Sequence, residues 1–225
     1  MYQKKDNSEL KEIFKKRASL SYSSKIGLLK EIQKRDLEVN QESLRELVTL
    51  EEDKIKNFDY LKELGFDINI GNKTIGIRRR YSAVLRDIVA TILSLLFFML
   101  GSFDVIVLMV MYMNDMLEIS LSTFLIIVVD IALIVLGIKL FNGFKRLITY
   151  FGFRFEVRDR QVTMNKRVDY KLKSMKTSLD NLVIEPNNNI SILKLHNTEI
   201  LNWDSENMAH ESTVNELYKR LKNCC

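Results

Sequence analysis

The feature that most constrains this chain is a central block, residues 88–141, which contains two long apolar runs. The runs cover 88–113 and 121–141, and a short polar connector, 114–120, joins them. At about 1.5 Å per residue, a helix over the first run is about 39 Å long, whereas a bilayer's hydrocarbon core is about 30 Å thick. Both runs are apolar on every face, unlike the amphipathic helices of soluble proteins. The sequence therefore predicts a two-helix transmembrane hairpin.

Charged residues avoid this block and mark its orientation. Of 34 Lys+Arg and 29 Asp+Glu residues, the block holds one base, Lys139, and four acids. Bases flank both runs on their outer sides, while the connector holds only Asp115 and Glu118. Because Lys and Arg are retained on the cytoplasmic side, we expect an external acidic turn and two cytoplasmic termini. The N-terminus has no apolar signal region, so insertion into a bacterial inner or plasma membrane would use the hairpin itself.

Each apolar run contains one acid, Asp104 in the first and Asp130 in the second. Both lie 13 residues from Leu117 in the turn, so an antiparallel hairpin places them at similar depth. A carboxylate at the centre of a membrane helix raises the free energy of insertion by about 2.5–3.5 kcal/mol, so its presence there needs an explanation. Either the acids line a polar seam or pore, or bind a cation or proton there, or they hydrogen-bond between the helices. The candidate partners for the second interpretation are Ser94, Ser102, Ser122 and Thr123.

The amino-terminal arm, residues 1–65, is predicted to be helical. Apolar residues at helical spacing indicate helices over about 8–16, 23–35 and 43–65. Ser8 is a candidate N-cap, and Ser43 and Glu46 have the spacing of a capping box. Glu51 is expected on a solvated face. The three helices would form a small bundle, or their apolar stripes would mediate self-association.

The helical pattern changes to a strand pattern at 66–80, before the first apolar run. Apolar residues alternate on both sides of a turn at 71–73, which predicts a β-hairpin. Three consecutive arginines follow, and bases next to a membrane span bind anionic lipid headgroups. The predicted headgroup contacts are Arg78, Arg79, Arg80, Arg86, Lys145 and Arg146. Acids are interspersed in both arms, so nucleic acid is not an expected partner.

The carboxy-terminal arm, 152–225, is predicted to be a cytoplasmic antiparallel β domain closed by a helix. Strands are expected at 152–157, 161–167, 181–185, 190–196 and 199–203. Thr213 and Glu216 have capping-box spacing at the start of a helix over 213–222. Val214, Leu217 and Leu221 would form its buried stripe. The overall prediction is a membrane α+β fold. The basic residues of this arm would form either a headgroup-binding face or a solvated, positively charged surface.

The segments FRFEV, QVTMNKRV, SLDNLVIE, ISILKLHNTEILNW and STVNELYKRL follow one another after the hairpin. This run of short strands closed by one helix resembles the bacterial pleckstrin-homology-like domains of small two-span membrane proteins. The resemblance covers roughly the last 75 residues. If the 66–77 hairpin joins these strands, as the resemblance implies, the membrane hairpin is an insertion within one composite domain.

No motif for catalysis or for a cofactor is present in the sequence. The two histidines, His196 and His210, lack nearby ligands for a metal site. We therefore expect no enzymatic activity, no cofactor and no metal. Cys224 and Cys225 are either lipid acceptors or a plain terminal tail.

Three functions are consistent with this layout. The first is a membrane-anchored interaction or sensor module. Its expected partners are the lipid bilayer and either further copies of the chain, in a homo-oligomer, or a membrane or cytoplasmic protein. The second is an oligomeric pore or membrane-perturbing effector, in which copies of the hairpin assemble. A bacterial defence system would be one setting for such an effector. The third is an accessory subunit of a membrane complex.

Overall fold

The computed structural model describes residues 1–114, 120–168 and 171–223. The predicted turn acids Asp115 and Glu118 and the terminal cysteines lie outside the described residues. The described chain is an α+β fold that divides into two compact units. We call them the globular unit, residues 1–77, 155–163 and 176–225, and the hairpin unit, residues 78–154 and 164–175.

The globular unit begins with helices α1 (Asn7–Lys15), α2 (Tyr22–Lys34), α3 (Gln41–Lys56) and α4 (Asp59–Glu63). The helical prediction is confirmed, but both predicted caps are wrong. Asp6, rather than Ser8, caps α1 and forms a capping box with Glu9. Asn40 caps α3 and accepts a hydrogen bond from the Ser43 amide, so Ser43 lies inside the helix. Asn and Asp compete well with Ser at the N-cap position.

The predicted third helix is interrupted at Phe58. This residue has a φ of 59° and is 1% exposed, so the chain adopts a left-handed turn there and buries the ring. The left-handed conformation ends α3 and separates it from α4. Gly65, with a φ of 86°, ends the helical segment as predicted, since glycine adopts positive φ without steric cost.

Eight strands in the described residues form two sheets. The first sheet contains, in this order, β1 (Phe66–Ile70), β2 (Thr74–Arg79), β3 (Arg154–Arg158), β4 (Gln161–Val168) and β5 (Lys171–Ser178). Because β2 and β3 are neighbours, the chain leaves the sheet for the long hairpin and returns beside the strand that it left. Of the five predicted strands that the composite-domain hypothesis joined to the 66–77 hairpin, two share its sheet, and the other three form the second sheet.

Strand β5 is absent from the sequence prediction. Its residues, KLKSMKTS, are mostly exposed on both faces, and the strand lies at an edge of the sheet. An edge strand rich in lysine lacks the apolar alternation on which a strand prediction depends. Strand β5 therefore gave no signal in the sequence.

The second sheet is antiparallel and contains β6 (Leu182–Asn187), β7 (Ile190–Leu195) and β8 (Thr198–Asp204). Helix α7 (Met208–Asn223) follows and buries Val214, Leu217 and Leu221 as predicted. The predicted capping box at Thr213 is wrong. The Thr213 hydroxyl donates to the Ala209 carbonyl within the helix, while Asn207 accepts from the amides that begin it.

A buried charge network joins the helices of the globular unit. Lys25 Nζ lies 2.8 Å from Glu51 Oε1, and the two side chains are 5% and 11% exposed. The Tyr60 hydroxyl also donates to Glu51. The prediction of a solvated Glu51 is therefore wrong. Burial would raise the pKa of Glu51, but the hydrogen bonds from Lys25 and Tyr60 and the lysine charges lower it to about 2.

The hairpin unit contains α5 (Tyr81–Met113) and α6 (Leu121–Tyr150), of 33 and 30 residues. Both helices extend beyond the predicted apolar runs at the end away from the turn, so they include part of the basic flanks. Helix α5 continues without interruption through Gly101 and Ser102.

Glu51→Gln is expected to lower the free energy of unfolding at pH 7 by about 3 kcal/mol, because it breaks a buried ion pair. In the wild type, the stabilisation from the lowered pKa is complete above the ordinary value of 4.5 and is lost as the pH falls to about 2. The difference between the two proteins should therefore shrink over that window. Thermal unfolding of the full chain in detergent, followed by circular dichroism, measures it.

The matched control is Glu52→Gln, one residue further along α3. Glu52 makes no salt bridge to any residue that the structure describes, so its variant should unfold within about 0.5 kcal/mol of the wild type. Equal effects of the two substitutions at pH 7 would contradict the network.

Candidate functional site in the helical hairpin

The seam between α5 and α6 is formed by small and polar residues. Three glycines allow the two backbones to approach closely. A Cβ atom at Gly101 would lie 2.9 Å from the Asp130 carbonyl oxygen, and one at Gly143 would lie 2.7 Å from the Ala90 Cβ. Any larger side chain at either position would force the helices apart. The buried residues of the two helices are Ala83, Asp87, Ser94 and Gly101 of α5, and Asp130, Gly137, Gly143 and Tyr150 of α6.

A hydrogen bond crosses the seam near its middle. The Ser94 hydroxyl donates to the Gly137 carbonyl oxygen over 2.8 Å, and both residues are buried. Gly137 makes this contact possible, because a Cβ atom there would lie 3.1 Å from the Ser94 carbonyl oxygen. Close packing at small residues and hydrogen bonds from Ser are the interactions that hold helices together in membranes.

The outward faces of the two helices are apolar and exposed. Met99, Phe103 and Ile106 of α5 are 69%, 65% and 60% exposed. Ile138 and Phe124 of α6 are each 61% exposed. Only 11% of the most apolar stretch of each helix is buried. The hairpin therefore buries Asp, Ser and Gly between its helices and exposes its large apolar groups, the inverse of a soluble core.

The structure buries one of the two predicted intramembrane acids and exposes the other, and the two lie close enough for the charge of Asp104 to act on Asp130. Asp130 is 2% exposed within the seam, and its Oδ2 atom has no hydrogen-bond partner among the described residues. Asp104 is exposed and makes no hydrogen bond or salt bridge within the described part of the chain. Of the predicted serine and threonine partners, Ser94 does bridge the helices, but it bonds to Gly137 rather than to an acid.

A third acid, Asp87, lies at the base of the hairpin. Its carboxylate is 1% exposed and accepts from Arg79 over 2.7 Å and from Arg146 over 2.9 Å. The Arg146 bond joins α6 to α5. Tyr150 lies beside this group, with the Arg79 guanidinium 5.2 Å and the Lys166 ammonium 5.0 Å from the centre of its ring. We call Asp87, Arg79, Arg146 and Tyr150 the base cluster.

The residues predicted to contact headgroups differ in how exposed their side chains are. The Arg79 side chain is 6% exposed, so its charge is directed to Asp87, whereas Arg146 remains 47% exposed. Arg78, Arg86 and Lys145 are exposed, and Arg80 is half-buried. The headgroup interaction itself stays a prediction, with Arg78, Arg86 and Lys145 as its most accessible members.

A seven-residue repeat in the sequence marks the seam. Asp87, Ser94 and Gly101 recur every seven residues along α5, as do Asp130 and Gly137 along α6. A seven-residue repeat places residues on one face of a helix that packs against a partner. Small and polar residues at that spacing within an apolar run therefore indicate the seam and Asp87 with it.

No three His, Cys, Asp or Glu side chains in the described residues lie close enough to hold a metal ion. No protein-family model matches the chain, and no curated protein or solved structure was found to be similar to it.

Asp87→Ala is expected to lower the free energy of unfolding of the hairpin unit by about 3–5 kcal/mol. The substitution removes two charge-assisted hydrogen bonds at a carboxylate that is almost fully buried. Hydrogen exchange of the α5 and α6 amides in detergent, read by mass spectrometry, should show faster exchange next to the base cluster.

Asp53→Ala provides the control. Asp53 also pairs with a base, Lys56, but its side chain is 59% exposed. An exposed pair contributes about 0–1 kcal/mol, so exchange in the hairpin should not change. Unaltered exchange in Asp87→Ala would show that the base cluster does not hold the two helices together.

Proposed function

We propose that the chain is a two-span integral membrane protein whose hairpin anchors a cytoplasmic interaction or sensor module. One observation carries the proposal: the α5–α6 seam buries Gly, Ser and Asp, while Leu, Ile, Val, Phe and Met face outward. Transfer of one such large side chain out of water contributes about 1.5–3 kcal/mol. A soluble monomer rarely exposes a contiguous apolar patch larger than a few hundred Å². A bilayer is the environment that fits this surface.

The base cluster supports the orientation that we propose. Its bases, and the exposed Arg78, Arg86 and Lys145, lie at the ends of α5 and α6 away from the turn. Bases that flank membrane spans are retained on the cytoplasmic side, where they also meet anionic headgroups. Both arms would therefore be cytoplasmic, and the turn would be external.

The globular unit supports the role of a module. Both arms contribute to it, and it has its own core, which includes Leu44, Phe58 and Leu61 from the first arm and Leu193 and Leu217 from the second. A folded unit of this kind can bind a partner while the hairpin holds it at the membrane. The resemblance to pleckstrin-homology-like domains, which act at membranes, agrees with this proposal and stays part of it.

An oligomeric pore is the second candidate, and the exposed Asp104 favours it. Of the two acids, Asp130 lies within the seam of a single hairpin, and Asp104 is the exposed one that would face a lumen formed by several copies. Planar bilayers containing the purified protein distinguish the two candidates. The anchor predicts no conductance above that of the bare bilayer, and a pore predicts conductance that changes in Asp104→Asn.

Thiol labelling tests the anchor and its direction. The only native thiols are Cys224 and Cys225. A membrane-impermeant maleimide should leave them unlabelled in intact spheroplasts that express the protein, and should label them after permeabilisation, because both arms are cytoplasmic.

The reciprocal variant replaces both native cysteines by Ser and carries Ser120→Cys at the start of α6. Its single thiol should be labelled in intact spheroplasts. Labelling of Cys224 and Cys225 from outside would reverse the proposed direction. Release of the protein from membranes by alkaline carbonate would contradict insertion altogether.

A further inference from the structure

We propose that the β4–β5 tip, residues 164–168 and 171–175, is a second membrane contact of this chain. It binds anionic lipid headgroups of the cytoplasmic leaflet through Lys171 and Lys173, and it places Leu172 beside Phe151 among those headgroups. The inference rests on the proposed insertion of the hairpin and goes beyond it, because an anchor needs no lipid contact outside its two spans. It assigns a lipid surface to part of the basic arm that the sequence left open.

The first argument is the position of the tip. The tip belongs to the hairpin unit and contacts the residues that follow α6. The Arg167 guanidinium lies 5.1 Å from the centre of the Phe151 ring, and a Cβ atom at Gly152 would lie 3.4 Å from the Leu172 Cδ1 atom. Because α6 ends at Tyr150, these contacts hold the tip at the cytoplasmic end of the proposed span.

The distance to the headgroups follows from the helix rise. Phe151 is six residues beyond Lys145, a predicted headgroup contact, which corresponds to about 9 Å along the axis of α6. The Debye length at physiological ionic strength is about 8 Å, so charges at this level still interact with an anionic surface. The tip is therefore within electrostatic reach of the leaflet.

The second argument is charge, which selects the occupant. Residues 161–178 contain five bases and one acid, Asp169, which lies outside the described residues. Lys171 and Lys173 are exposed, and their spacing places them on one face of β5. The cytoplasmic leaflet has a negative surface potential that attracts bases next to a span. An acidic protein would also match the lysines, but the position of the tip at the end of α6 favours lipid.

The third argument is the apolar surface among these bases. Leu172 and Phe151 are 57% and 53% exposed, although they flank the same glycine contact. Leu172 lies between the two lysines of β5, and Phe151 lies beneath Arg167. Leu and Phe next to Lys and Arg are the side chains that proteins place in the interfacial region of a bilayer. Water alone gives this surface no stabilisation, whereas a lipid interface does.

Quenching of a fluorescent label by lipid tests the proposal. In the full chain with both terminal cysteines replaced by Ser, Leu172→Cys carries the label. The protein is reconstituted into vesicles of phosphatidylcholine and phosphatidylglycerol that contain a lipid with a nitroxide on its headgroup. The label should be quenched. The quenching should fall in vesicles without phosphatidylglycerol, and also at 1 M salt, where the Debye length is about 3 Å.

The matched control for position is Leu50→Cys in the same cysteine-free background. Leu50 is exposed to a similar extent, 52%, but it lies outside the hairpin unit. Its label therefore reports the quenching that occurs without docking of the tip. Equal quenching at positions 172 and 50 would overturn the proposal.

Substitution of the lysines tests the charge. Lys171→Gln and Lys173→Gln together should lower the equilibrium constant for docking about thirtyfold, because two bases near an anionic surface are lost. The quenched and unquenched lifetimes of the label give this constant. Lys11→Gln and Lys30→Gln, at two exposed positions of the globular unit, remove the same charge and should leave it unchanged. Equal effects of the two pairs would attribute the quenching to net charge and overturn the proposal.

Flotation of the same vesicles separates the two levels of the account. Protein that fails to float contradicts insertion, and hence the proposed anchor. Protein that floats with an unquenched label at position 172 contradicts only the tip contact, and it would leave the lysines to an acidic protein partner. Full quenching in pure phosphatidylcholine would show a contact that does not use charge, and it would overturn the binding of anionic headgroups.

Discussion

The close approach of α5 and α6 is the constraint on which the other features of the hairpin depend. Glycine at positions 101, 137 and 143 leaves no room for large side chains in the seam, so the leucines, isoleucines and phenylalanines must point outward. Van der Waals contact and the Ser94–Gly137 hydrogen bond hold the seam together. Such an interface suits a lipid environment, in which apolar side chains gain nothing by meeting each other.

Charged residues hold the hairpin together at the end away from the turn. Asp87 is buried at the base, and it accepts from Arg79, at the end of β2, and from Arg146, near the end of α6. A buried carboxylate is tolerated only when charged donors satisfy it, so the three residues act as a unit. This unit fixes the start of α5 against the end of α6. It also explains why one of the three consecutive arginines is directed inward while its neighbour Arg78 remains available to an anionic surface.

Sequence reasoning identified the features that depend on composition and local spacing. The β1–β2 hairpin and the stripe of α7 follow from periodicity, and the two apolar helices follow from long uninterrupted apolar runs; both are properties of neighbouring residues. Sequence reasoning missed the features that depend on long-range pairing. Glu51 is paired with a lysine 26 residues away, and Asp87 is paired with an arginine 59 residues away. Phe58 was missed because a left-handed residue that interrupts a helix has no distinctive side chain, and β5 because its faces are equally polar. The acids Asp104 and Asp130 were identified. Their similar predicted depth in the hairpin could not show that one is enclosed by the seam and the other exposed.

The central claim is that the hairpin exposes its apolar face to lipid. Spin labels placed singly along 92–106 of α5 in reconstituted vesicles test it most directly, by their collisions with oxygen, which concentrates in lipid, and with a water-soluble nickel complex. The account predicts frequent oxygen collisions at Met99, Phe103 and Ile106, infrequent ones at Ser94 and Gly101, and few nickel collisions at any of these positions. Frequent nickel collisions at Met99, Phe103 and Ile106 would place the outward face in water and contradict the account.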